Sequence, residues 1–167
     1  SLGLIAKKRY TEAEIQKKLE QFLVKKSDNE IELSSLGDPG TGSIDSVIAR
    51  LKELKYLDDN KYAGDYVSDR VKFKPRGVFL LKRELKVKGV NSNLIDKVID
   101  SAIDSEALDE VKMAEQLLQK KMRSWSKFEP RKKKEKSFGF LSSKGFKPDT
   151  IYKAVNRCYD PNAIEDL

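Results

Sequence analysis

The sequence contains no histidine among its 167 residues. That removes the side chain that titrates nearest neutrality, the commonest zinc ligand, and every Ser-His or Cys-His nucleophile pair. Cysteine is almost as scarce. Cys158 stands alone, so no intramolecular disulfide can form and the chain suits a reducing compartment. Long apolar runs are missing too. The longest, Val78-Phe79-Leu80-Leu81, is far too short to span a bilayer, and neither a secretory signal nor a transit peptide is visible. The Gly37–Gly42 run has no Gly-Lys-Ser/Thr, so it is not a phosphate-binding loop. Asp58-Asp59 could hold a metal or do acid/base chemistry, but it reads better as a helix cap followed by a first-turn acid. The expectation is a binding protein without catalytic residues, metal or cofactor.

Charge and helix-forming residues are what the chain has in quantity. Charged residues make up 37% and hydrophobic ones 38%, and the Lys/Glu content with few β-branched runs favours helices over sheets. Residues 10–26 predict a helix, with Thr11 and Glu14 as a capping box and Ile15, Leu19, Phe22 and Leu23 as its apolar stripe. Ser27–Ser43 is turn chemistry. Helix resumes from Ile44 through Leu54, and again after Asp58-Asp59 with Tyr62, Ala63, Tyr66, Val67 and Val71 on one face. Pro75 is placed as an N1 proline opening the helix that carries Val78, Leu81 and Leu85. Gly89 ends that helix, and Asn91 caps the next. Further helices are expected at about 105–123, 130–144 and 148–159.

An internal repeat organises these helices. Leu85-x-x-Lys88-Gly89-Val90 followed by Ile95-x-x-Val98-Ile99 recurs 56 residues later as Leu141-x-x-Lys144-Gly145-Phe146 and Ile151-x-x-Ala154-Val155. Ile44-x-x-Val47-Ile48 resembles the end of a third copy. A three-helix unit used three times follows, each unit too small to bury its face alone and each containing a helix-turn-helix-like pair. The boundaries read as 1–55 with an inserted loop at 27–43, then 56–104, then 105–167.

The positive charge is clustered. Arg70, Lys72, Lys74, Arg76, Lys82, Arg83, Lys86 and Lys88 face only Glu84 in 70–90; ten bases, among them Arg123, Arg131, Lys132, Lys133 and Lys134, face three acids in 112–136. Intervening stretches are acidic. Phosphate binding needs several cations on one surface, so these two blocks are the candidate nucleic-acid contacts. Phe73, Phe79, Trp125 and Phe128 interleave with the bases. At helical spacing most such rings are core, which leaves Trp125 and Phe128, in a hydrophilic link, as the better candidates for stacking on bases.

Tyr56-Leu57-Asp58-Asp59-Asn60-Lys61-Tyr62-Ala63 resembles the signature of the RecX family of recombinase regulators. Arg76-Gly77 with Leu81-x-x-x-Leu85-x-x-Lys88-Gly89-Val90, and Phe140-Leu141-x-x-Lys144-Gly145-Phe146, are similar to its later segments. The chain departs from the pattern at the Ser27–Ser43 insertion and at Lys55, where the family commonly has Gly. The resemblance implies an all-α curved rod of three tandem repeats. It also implies a monomer that binds a RecA–single-stranded DNA filament and inhibits recombinase ATPase and strand exchange. The implied compartment is the bacterial cytoplasm, or a plastid or mitochondrial stroma in a eukaryote. The competing reading is a helix-turn-helix transcription regulator, which would need Arg, Asn or Gln facing base edges; a purely protein-binding helical scaffold is the third.

Overall fold

Short polar caps at Thr11, Asp58, Asn91 and Asp109 set where four of the helices begin. A computed structural model describes residues 9–27 and 44–159, and among these residues every regular element is helical. The helices are α1 (Glu12–Ser27), α2 (Ile44–Glu53), α3 (Asp59–Phe73), α4 (Val78–Val87), α5 (Ser92–Asp104), α6 (Glu110–Met122), α7 (Pro130–Ser143) and α8 (Pro148–Tyr159), with a 3-10 turn at Arg123–Trp125. The capping box at the start of α1 forms as predicted: Glu14 N donates to Thr11 Oγ1 at 3.2 Å, and Thr11 N donates to Glu14 Oε2 at 3.3 Å. Asp58 accepts from Lys61 N at 2.9 Å and Asn91 from Asn93 N at 2.9 Å. The Gly37–Gly42 run and the rest of the insertion beyond Ser27 lie outside the described residues.

Three local expectations fail. Pro75 does not open α4, which begins three residues later, after Gly77. Its start is set from outside, because Val78 N donates to Glu110 Oε1 of α6 at 2.7 Å. The helix expected from about 105 begins at Glu110, since Glu106 takes a left-handed φ of 56° and Asp109 caps from Lys112 N at 3.0 Å. Phe22 is 64% exposed rather than inward: the small core between α1 and α2 takes in Ile15 and Leu19 and stops short of it.

Helices pack most heavily within units: α3 and α4 on α5, α6 and α7 on α8, α1 on α2. The second unit is thus α3–α5 and the third α6–α8, while α1 and α2 take the places of α4 and α5. One continuous core runs through the second and third units, from Ala63 and Val67 through Leu81, Leu85 and Ile99 to Leu118, Leu141 and Val155. The first unit has a separate small core of Ile15, Ile48 and Leu57.

The Lys-Gly turns are also the joints between units. Thr11 Oγ1 donates to the Lys88 carbonyl at 2.5 Å, and Lys88 Nζ pairs with Glu14 Oε1 at 2.6 Å. The next joint repeats the pattern, with Gly77 N donating to the Lys144 carbonyl at 2.9 Å. Gly89 and Gly145 have φ of 80° and 82°, where L side chains are strained. Each is also pressed against the preceding unit. A Cβ at Gly89 would lie 2.2 Å from Ala13 Cβ, and one at Gly145 would lie 2.4 Å from Leu80 Cβ and 2.8 Å from Leu80 N. The acids behind the caps act across joints in the same way: Asp59 Oδ1 accepts from Glu12 N at 3.0 Å, as Glu110 does from Val78 N. Burial there raises the Asp59 pKa, against the bond from Glu12 N, which lowers it.

Candidate nucleic-acid interface

In the middle block, half of the cations are spoken for. Glu84 sits at a hub of α3 and α4, accepting from Tyr66 Oη at 2.7 Å and Arg70 Nε at 3.0 Å. Arg70 also donates to Tyr66 Oη at 2.6 Å and lies 4.3 Å over the Tyr66 ring. Arg76 is held by the same carboxylate at 3.7 Å, and its Nε is buried without a hydrogen-bond partner. Burial alone would raise the Glu84 pKa, but the bonds from Tyr66 and Arg70 outweigh it and the carboxyl is lowered. Burial and the Glu84 bond push Tyr66 up to about 12. Lys82 pairs with Asp96 at 2.6 Å. Lys88 is spent on the first joint, and its hydrogen bond to Glu14 raises its pKa. Among the described residues, Lys72, Lys74, Arg83 and Lys86 are exposed and have no carboxylate partner.

The C-terminal block is built differently. No residue between Lys120 and Lys136 makes an ion pair among the described residues, and Glu115 is taken by Arg157 of α8 at 3.3 Å. Aromatic rings support these cations instead. Lys121 and Lys144 stand 5.8 and 5.4 Å over Phe140, Lys132 and Lys136 5.7 and 4.6 Å over Phe128, and Lys134 5.9 Å over Tyr159. A ring face attracts an ammonium without neutralising it. Arg131, Lys132 and Lys133 also fill the first turn of α7, where the helix has no acid and Glu129 makes no side-chain cap bond. Cations there oppose the helix dipole. Four successive bases, Arg131–Lys134, thus have no carboxylate partner among the described residues, and the first three of them stand where the helix dipole disfavours cations.

The burial of the aromatics runs opposite to the expectation. Trp125 is half-buried, packed edge-on to Phe140 at 5.9 Å, and Phe128 is half-buried beneath its two lysines. Phe73 and Phe79, expected to be core, are 76% and 67% exposed. Each lies at a helix end beside the link that the second joint fixes, pointing away from the shared core.

A second repeat, not visible at the 56-residue shift, runs through the first helices of the second and third units. Leu57-Asp58-Asp59 with Lys61 and Ala63 recurs as Leu108-Asp109-Glu110 with Lys112 and Ala114. Lys55 and Glu106 precede these at the same distance, both at φ of 56°, so Lys55 occupies a turn where Gly would be relaxed. The shift here is 51 residues and grows to 56 by the Lys-Gly turn, because α7 is four residues longer than α4 and the link before it three longer than 74–77, while α6 is two shorter than α3. A groove of ≈ 630 Å³ between α3 and α5 is lined by Gly64, Ser68, Ser101 and Ala102 among others. Arg157 and Glu115 bridge the corresponding face of the third unit. Among the described residues, no cluster of His, Cys, Asp or Glu could hold a metal ion.

Comparison with known proteins follows this division into units. The family models described as the second and third three-helix domains of RecX match residues 58–99 and 109–155. Regulatory protein RecX of Haemophilus influenzae is 30% identical over 157 residues, 93% of this chain and 90% of that protein. The chain belongs to the RecX family. RecX proteins are named as regulators, and the two matched domains coincide with α3–α5 and α6–α8. Regulatory protein RecX of Leuconostoc mesenteroides is 34% identical over 121 residues, and that of Bacillus pumilus 36% over 120; each match covers 44% of the longer relative. The chain thus spans less than half the length of these two relatives. The crystal structure of RecX from Lactobacillus salivarius superposes with a TM-score of 0.71 at 21% identity, over 94% of this chain and 90% of that one, and shares its fold.

Proposed function

We propose that this protein binds a RecA-type recombinase filament on single-stranded DNA and inhibits its ATP hydrolysis and strand exchange. The observation that carries this reading is the Arg131–Lys134 run, four cations without a carboxylate partner among the described residues, three of them at a helix start that disfavours them. Such an arrangement costs the fold stability, and an external polyanion would offset the cost. A row of similar units suits a helical filament, because a repeating surface can be met by a repeating binder, and linked weak contacts raise avidity. We place the free cations of both blocks, Arg123 and Arg131–Lys134 with Lys72, Lys74, Arg83 and Lys86, toward the filament. Arg70, Arg76, Lys82 and Lys88 hold the fold. We assign three units, 1–55, 56–104 and 105–167, to a monomer acting where the recombinase acts, in a bacterial cytoplasm or an organelle stroma.

The transcription-regulator reading is less favoured. The third helix of the middle unit exposes Asp96 and Asp100 beside Lys97, a face that DNA phosphates would repel. Cosedimentation separates the two readings. The protein should pellet with recombinase, nucleotide and single-stranded DNA together far more than with DNA alone. Equal pelleting in both would remove the filament from the proposal.

A further inference from the structure

We infer that Phe73 and Phe79 form a stacking platform for unpaired nucleobases on the middle unit. Exposing two phenylalanines is unfavourable unless something covers them. Phe73 is the last residue of α3 and Phe79 the second of α4. The four-residue link between these helices is anchored at its C-terminal end, and at its start Lys74 N donates to the Arg70 carbonyl at 3.2 Å. Gly77 N is bonded to the Lys144 carbonyl, and Arg76 is held at Glu84. The rings therefore project from a fixed corner, which reduces the ordering cost of binding. They are six positions apart, so their Cα atoms lie at most about 20 Å apart and the rings can meet one short strand.

Charge selects the occupant. From Arg70 to Arg83 the chain carries six cations and no acid. Lys72 and Lys74 flank Phe73 directly, and Arg83 stands one helical turn after Phe79; none of these three has a carboxylate partner among the described residues. Rings set among free cations suit a ligand with flat apolar faces and a negative backbone, which is single-stranded nucleic acid. In the C-terminal block the rings already lie beneath lysines, which leaves that block to meet phosphates and the middle unit to meet bases.

The inference rests on the single-stranded DNA part of the proposed function, and the test separates the two. Binding of labelled oligothymidylate and of an abasic strand of equal length is measured by fluorescence anisotropy for wild type, Phe73→Ala/Phe79→Ala and Phe73→Trp/Phe79→Trp. Wild type should prefer the strand with bases. The alanine pair should lose that preference, weakening oligothymidylate binding on the order of tenfold per ring. The salt slope and thermal midpoint should not change, and the tryptophan pair should restore or exceed wild-type affinity. Equal wild-type affinity for both strands, or full affinity in the alanine pair, overturns the platform while leaving phosphate binding intact. A wild type that binds neither strand at low salt overturns the platform and the DNA contact together. Full DNA affinity in the alanine pair with loss of recombinase binding reassigns the rings to a protein surface and overturns the inference.

Discussion

Residues 70–90 and 112–136 are both strongly basic, yet they spend their charge differently. In the first, Glu84, Asp96 and Glu14 neutralise Arg70, Arg76, Lys82 and Lys88, and these pairs tie α3 to α4, α4 to α5, and the first unit to the second. In the second, the cations lean on Phe128, Phe140 and Tyr159, and no carboxylate answers them among the described residues. Formal charge therefore overstates what the middle block can offer an anion. It does not overstate the C-terminal block.

Reversal of the C-terminal charges should give the largest effect. Arg131→Glu/Lys132→Glu/Lys134→Glu should weaken single-stranded DNA binding on the order of a hundredfold at low salt. It should also flatten the log–log salt slope by about 2 from a starting value of roughly −3 to −4. Chemical denaturation of the same variant should show an unchanged or slightly higher midpoint, because acids in the first turn of α7 suit its dipole. Loss of stability would mean that these lysines are structural after all. Next in size is the second joint. Gly145→Ala should cost about 2–4 kcal/mol in urea unfolding, adding collision with Leu80 to backbone strain. Gly89→Ala should cost less, about 1–2 kcal/mol, because it meets a single methyl at the edge of a smaller core. Equal costs would erase the distinction between the two joints.

A smaller effect separates the hub from the free cations. Glu84 has a lowered folded pKa, so its stabilisation is present above the ordinary carboxylate range and is lost as pH falls through the folded value. Glu84→Gln should cost about 1–2 kcal/mol at neutral pH and should flatten the acid limb of a stability–pH curve, leaving the DNA salt slope unchanged. The smallest is Lys55→Gly, which relieves a left-handed turn at the expense of chain entropy and should raise stability by less than about 1 kcal/mol. A lower midpoint in a thermal melt would contradict the strain.

Much of this architecture was legible because the repeat is written in residues with narrow roles. A Lys-Gly turn ended by a buried apolar residue, and Asn91 or Pro148 opening the next helix, specify local geometry whatever surrounds them. The start of α4 was not legible, since its cap comes from Glu110, thirty-two residues on. Nor was the exposure of Phe73 and Phe79, whose helical spacing matches that of a core stripe. Among the cations, sequence proximity showed two basic blocks but could not show that Arg70, Arg76, Lys82 and Lys88 pair with Glu84, Asp96 and Glu14. The Leu57/Leu108 correspondence was readable, and was masked by the change in shift that the longer α7 introduces.

The proposed function requires the unpaired cations of the C-terminal block to act on a recombinase filament. Single-stranded-DNA-dependent ATP hydrolysis by the cognate recombinase tests it most directly, titrated with wild type and with the Arg131→Glu/Lys132→Glu/Lys134→Glu variant. Wild type should depress the rate at sub-saturating amounts, and the folded variant should need at least tenfold more protein for the same inhibition. A rate unchanged by several-fold excess of wild type, or inhibition undiminished in the variant, would contradict the account.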